Sequence, residues 1–171
     1  MSLHGDLLEQ AQHLSDREQR KPRQASLRRA VSASYYALFH LMVDEATVMM
    51  FGGQADRRKF RDALARAFSH SSMLDTCRSF GGGTLPAGVV STVGALNIPS
   101  DLRTVAATFC QLQFYRHQAD YNRSRFFVKS EVSELVQDAS DAFAAWQRVR
   151  NDDAARFFLM SLALWDQMRR A

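Results

Sequence analysis

The sequence predicts an all-α fold, an antiparallel bundle of five to six helices in a single domain. Apolar residues recur at spacings of three and four along most of the chain, and almost no stretch alternates at period two. With 171 residues, 46% of them hydrophobic, there is enough apolar surface for one real core.

The elements follow in order. Leu3 to about Arg17 carries Leu7, Leu8, Ala11 and Leu14 on one stripe. Pro22 opens a long second helix, because a proline in the first turn costs no hydrogen bond. Its stripe is Leu27, Ala30, Val31, Ser34, Tyr35, Leu38, Phe39, Met42 and Ala46, and it ends near Gly52-Gly53. A third helix, about Asp56 to Phe68, is basic on one side with Arg57, Arg58, Lys59 and Arg61.

The segment 70–99 is the least regular, broken at Gly81-Gly82-Gly83 and Pro86, with a helical turn or two between Met73 and Phe80. Ser100, as N-cap, restarts the helix with Asp101 in its first turn; Leu102, Val105, Ala106, Phe109 and Leu112 form its buried face. The chain turns around 122–128. The fifth helix, Ser130 to Arg150, has the cleanest stripe: Val132, Leu135, Val136, Ala139, Ala142, Phe143, Trp146 and Val149. A last helix, Ala154 to about Arg170, forms a C-terminal extension at 151–171. It is apolar over much of its circumference, so a dimer or a partner protein is expected to cover it.

Several function classes drop out. Cys77 and Cys110 cannot make a disulfide framework, and His4, His13, His40, His70 and His117 show no zinc spacing, so no metal or cofactor is expected. Gly81-Gly82-Gly83-Thr84 lacks the Lys-Ser/Thr of a phosphate loop and reads as a flexible turn. No Gly-x-Ser-x-Gly elbow is present. Asn122-Arg123-Ser124 fits a glycosylation sequon but carries no meaning without a secretory signal. No apolar run approaches the length of a membrane span, and the expected location is the cytoplasm. The net charge of +4 permits a polyanionic partner without pointing to one. Of the 22 basic residues 19 are arginine, for which codon bias in a GC-rich genome is the simpler explanation.

Two stretches are more specific: Arg28-Arg29-Ala30-Val31-Ser32-Ala33-Ser34-Tyr35-Tyr36-Ala37-Leu38-Phe39-His40, and Tyr115-Arg116-His117-Gln118-Ala119-Asp120-Tyr121. Together, over roughly residues 5 to 150, the chain resembles the HEPN family, whose small prokaryotic members carry a Tyr-Tyr-Ala-x-Phe helix and, much later, Arg-x-x-Ala-Asp-Tyr. His70-Ser71-Ser72 is similar to a recurrent segment of that family. The resemblance implies an all-α homodimer of toxin–antitoxin or phage-defence type, with a nucleotidyltransferase antitoxin or another defence protein as partner. Many members are metal-independent ribonucleases with the pattern Arg-x4–6-His. There, histidine takes the 2′-hydroxyl proton and arginine stabilises the phosphate.

Here that pattern is not intact. The positions after four, five and six residues from Arg116 are Tyr121, Asn122 and Arg123, and Ala33 stands where many relatives carry arginine. An enzyme would therefore need a base from His117, His40 or a partner subunit. Tyr121 is at the first of those positions, and a tyrosine, whose free pKa is near 10, is a poor base at neutral pH.

Arg116 lies about 20° from Phe109 on the helical wheel, within the buried stripe, and Asp120 at i+4 can pair with it. The pair either fixes packing or presents Arg116, Asp120, Tyr121 and Arg123 to RNA or a nucleotide. Tyr35, Tyr36 and Phe39 read as core. Three functions stand: a HEPN-like homodimeric module binding RNA, a nucleotide or a protein partner; a metal-independent ribonuclease; and a helical scaffold subunit.

Overall fold

The computed structural model describes residues 2–168. Their regular structure is helical throughout: α1 (Leu3–Asp16), α2 (Gln24–Phe51), a 3-10 turn (Ala55–Arg57), α3 (Arg58–Ala65), α4 (His70–Gly82), α5 (Ala87–Val93), α6 (Ser100–Tyr121), α7 (Lys129–Val149) and α8 (Asp153–Met168). The all-α expectation holds. All six helices read from periodicity are present, and the expected end of the last, near Arg170, lies outside the described residues.

The additional helices, α4 and α5, occupy the segment read as irregular. In α4, Ser69 accepts the Ser72 N–H on its hydroxyl at 3.1 Å, and Met73, Cys77 and Phe80 bury one face. The three glycines do not form a turn. Gly81 and Gly82 are helical, and the chain leaves the helix at Gly83, with φ +72°. There the Gly83 N–H bonds to Phe80 O and the Thr84 N–H to Ser79 O, a Schellman termination that leaves two fewer carbonyls unpaired. Gly81 serves packing: a Cβ there would stand 3.1 Å from the backbone N of Ala107 on α6.

Two helix starts differ from expectation by a residue or two. The carbonyl of Arg23 accepts the first α2 bond, from Leu27, so Pro22 stands just outside the helix. The carbonyl of Pro99 accepts from Arg103, which makes Pro99 the cap and Ser100 the first helical residue.

The described residues group into two compact units, with α2, α6 and α7 each contributing to both. The first comprises residues up to His40 together with Thr108–Ala144. Its core is Leu27, Val31, Tyr35 and Leu38 of α2 against Phe109 and Leu112 of α6 and Val132, Leu135 and Ala139 of α7. Tyr35 and Phe109 meet with ring centroids 5.4 Å apart. Side chains of this size contribute roughly 2–3 kcal/mol each by burial.

The second unit comprises Leu41–Ala107 and the described residues from Ala145 on. Here α4 packs on α8: Phe80 lies 5.0 Å from Phe158 and 6.4 Å from Trp165, and Thr76 donates to Ser161 O at 3.2 Å. The wide apolar face of α8 is thus largely covered by α4, leaving only Met160 and Leu164 as large exposed apolar side chains. Asp101, in the first turn of α6, accepts both Nε and Nη2 of Arg148, at 2.9 and 2.8 Å, and these hydrogen bonds hold its carboxyl below the ordinary carboxylate range. Among the described residues no helix is long and apolar enough to cross a membrane, and no group of three or more His, Cys, Asp or Glu could hold a metal ion.

Candidate functional site

The two sequence stretches meet in the first unit. Ser32 and Tyr36 stand one turn apart on α2, and Arg116 and Asp120 stand one turn apart on α6, so each helix offers a pair to the other. Asp120 accepts the Ser32 hydroxyl on Oδ1 at 2.6 Å and pairs with Arg116 Nε through Oδ2 at 2.7 Å. Arg116 Nη2 donates to the Tyr36 hydroxyl at 2.7 Å. The Nε contact is ionic rather than directed, because the Nε–H finds no acceptor on its axis among the described residues. The side chains of Arg116 and Asp120 are 17% and 29% exposed.

Three rings surround this guanidinium. The Arg116 Cζ lies 5.8, 5.3 and 5.6 Å from the centroids of Tyr35, Tyr36 and Tyr121, within cation–π range. Burial works against the charge and is the largest single influence. Tyr36, Asp120 and Tyr121 together outweigh it, and the guanidinium pKa stands above its ordinary value.

Arg28 does different work. Its Nη1 donates to Ala119 O at 2.8 Å, and both terminal nitrogens reach Asn122 O, at 3.1 and 3.0 Å; Nη2 also donates to Arg125 O. It therefore caps the C-terminal end of α6, where a cation also suits the helix dipole. The following turn is fixed from two sides. Asn122 Oδ1 accepts the N–H groups of Ser124 and Arg125, while Gln24 pairs with both backbone polar groups of buried Phe127.

Beside this network lies an open groove of about 790 Å³, lined by residues from α1, α2 and the end of α6, including Arg28, Arg29, Ser32, Tyr36, Asp120 and Tyr121. Arg29 is exposed and makes no hydrogen bond or ion pair among the described residues. Ala33 forms part of the wall.

No family model, curated protein or solved structure matches this chain.

The residues singled out from sequence divide accordingly. Asp120 and Tyr121 line the groove; Arg116 does not, but it holds Asp120 and Tyr36, which do. His117 is exposed, its ring 5.0 Å from that of Tyr121, and is outside the groove wall. His40 is half-buried against Phe39 and Tyr36, at 5.3 and 6.4 Å between centroids, and also lies outside the wall. Arg123 is exposed in the turn beyond α6. Of the aromatics read as core, Tyr35 is buried, whereas Tyr36 is half-buried and lines the groove, because its hydroxyl reaches Arg116. Sequence reasoning did not single out Ser32, Arg28 or Arg29 as site residues. The one signal available was the match of two i, i+4 polar pairs, Ser32/Tyr36 and Arg116/Asp120.

Proposed function

We propose that the chain is a HEPN-like binding module that takes the phosphate of RNA or of a nucleotide in the groove of its first unit. The observation that carries this reading is the charge of the wall. Arg28 and Arg29 line it, and its one acid, Asp120, already faces Arg116. Arg28 spends its donors on carbonyl oxygens at the end of α6 and pairs with no carboxylate among the described residues. Arg29 supplies the free fork that a phosphate oxygen pair fits. Tyr121, 64% exposed, offers a face on which a base can stack.

The binding reading is preferred to the ribonuclease because none of the residues lining the groove is a histidine and Arg116 is committed to Asp120 and Tyr36. The HEPN resemblance adds a homodimer, and a nucleotidyltransferase antitoxin or other defence protein as partner.

Titration of a labelled single-stranded RNA at several salt concentrations tests the proposal. The wild type is expected to bind with an affinity that falls as salt rises. Arg29→Ala is expected to lose about tenfold and to lower the salt slope by roughly 0.7. Binding that is absent at low salt, or unchanged in Arg29→Ala, contradicts the proposal. Cleavage of the RNA in EDTA would establish the enzyme in place of the binder.

A further inference from the structure

The second unit carries a surface that this reading does not use. Helix α3 buries none of its residues, yet it displays Phe60, 43% exposed, stacked on Phe51, 37% exposed, with centroids 5.7 Å apart and planes 23° from parallel. The aligned rings present a flat apolar surface to solvent.

The surroundings of the pair are cationic. Residues 55–68 hold Arg57, Arg58, Lys59, Arg61 and Arg66 against Asp56 and Asp62. Arg61 is structural: it donates to Gly52 O and Gln54 O, at 2.7 and 2.9 Å, fastening α3 to the end of α2 and holding Phe60 against Phe51. Lys59 Nζ stands 5.2 Å from the Phe60 ring centroid. Arg57 and Arg58 meet their aspartates only at 3.5 and 3.8 Å, with side chains 53% and 80% exposed. Such exposed pairs are worth little and exchange readily for a stronger anion.

We propose that the Phe51–Phe60 pair, with Lys59 against it and Arg57, Arg58 and Arg66 on the same short segment, is a stacking platform for single-stranded nucleic acid. A base stacks on the exposed part of the ring pair, displacing the Lys59 side chain from over Phe60, and the flanking phosphates meet the cations. Every base has a π-face, so the contact tolerates sequence. A single strand fits this surface better than a lipid bilayer does, because α3 has only eight residues and offers one ring for stacking rather than a long apolar face. The platform stands independently of the groove in the first unit.

The test uses the 171-residue chain and three probes: a labelled twelve-nucleotide oligouridylate, uridine monophosphate and anionic phospholipid vesicles. Phe60→Ser is expected to weaken the oligonucleotide about fivefold or more while leaving the mononucleotide unchanged. Phe60→Trp is expected to restore or exceed wild-type affinity, since a larger ring stacks at least as well. Circular dichroism confirms that both variants keep their helices, as substitutions at an exposed ring should. Loss in Phe60→Ser with no effect of Arg29→Ala supports the platform and overturns the groove. The reverse pattern overturns the platform, as does a Phe60→Ser chain that loses binding to anionic vesicles while keeping the oligonucleotide.

Discussion

Arg116 shows how much a single side chain can disclose from sequence. Its position on the buried stripe and its spacing to Asp120 were both legible, because helical geometry fixes them locally. Its bond to Tyr36 and the Ser32 bond to Asp120 were not, since they depend on the register between α2 and α6, which no local pattern specifies. Four polar groups are thus tied together at the edge of the groove, with Ser32 buried and Arg116 half-buried. Arg116→Ala leaves the Tyr36 hydroxyl and the Asp120 carboxylate each short of a partner. With side chains only partly exposed, the expected cost is about 2 kcal/mol, below that of a fully buried pair. Arg116→Lys, which cannot reach both partners with one planar fork, should recover only part of it. Thermal melts of the two variants measure this. A change under about 0.5 kcal/mol for Arg116→Ala would show that the network does not hold the helices together.

Among the elements, α4 departs furthest from the sequence reading. Three consecutive glycines usually announce a loop, and propensity alone supports that. The helix survives because Phe80 packs against Phe158 and Trp165, and because Gly81 must lack a side chain where α4 approaches the backbone of α6. Tertiary packing has overridden local preference. The glycines are therefore expected to respond differently. Gly81→Ala brings a Cβ to 3.1 Å from the Ala107 backbone N, which must shift by a few tenths of an ångström, and should destabilise by about 1 kcal/mol. Gly82→Ala meets open space in a helical residue and should stabilise by roughly 0.5–1 kcal/mol. Chemical denaturation of both variants decides; equal effects would mean that the close approach is unimportant. Helices α2, α6 and α7, by contrast, were legible in full, because long uninterrupted apolar stripes leave little alternative. Even there the ends shifted by one or two residues at Pro22 and Pro99, where caps depend on which carbonyl accepts the first bond.

For the whole molecule, composition and periodicity established the all-α class and nothing finer. The assembly is a matter of proposal. The apolar circumference of α8 that suggested a dimer is mostly covered by α4 within the chain. A homodimer would then have to use other surface, such as Phe114 and Phe126, 60% and 68% exposed in the first unit. Light scattering at micromolar concentration should give about twice the monomer mass, and a strict monomer at all concentrations would remove the dimer from the account. The central claim concerns the groove, and photo-cross-linking tests it most directly. A single-stranded RNA carrying 4-thiouridine is irradiated with the 171-residue chain, and the modified peptides are mapped. The account predicts adducts on the α2 segment containing Tyr36 or on the end of α6 containing Tyr121, both about tenfold weaker in Arg29→Ala at subsaturating RNA. RNA that binds the protein yet leaves both segments unmodified would contradict it.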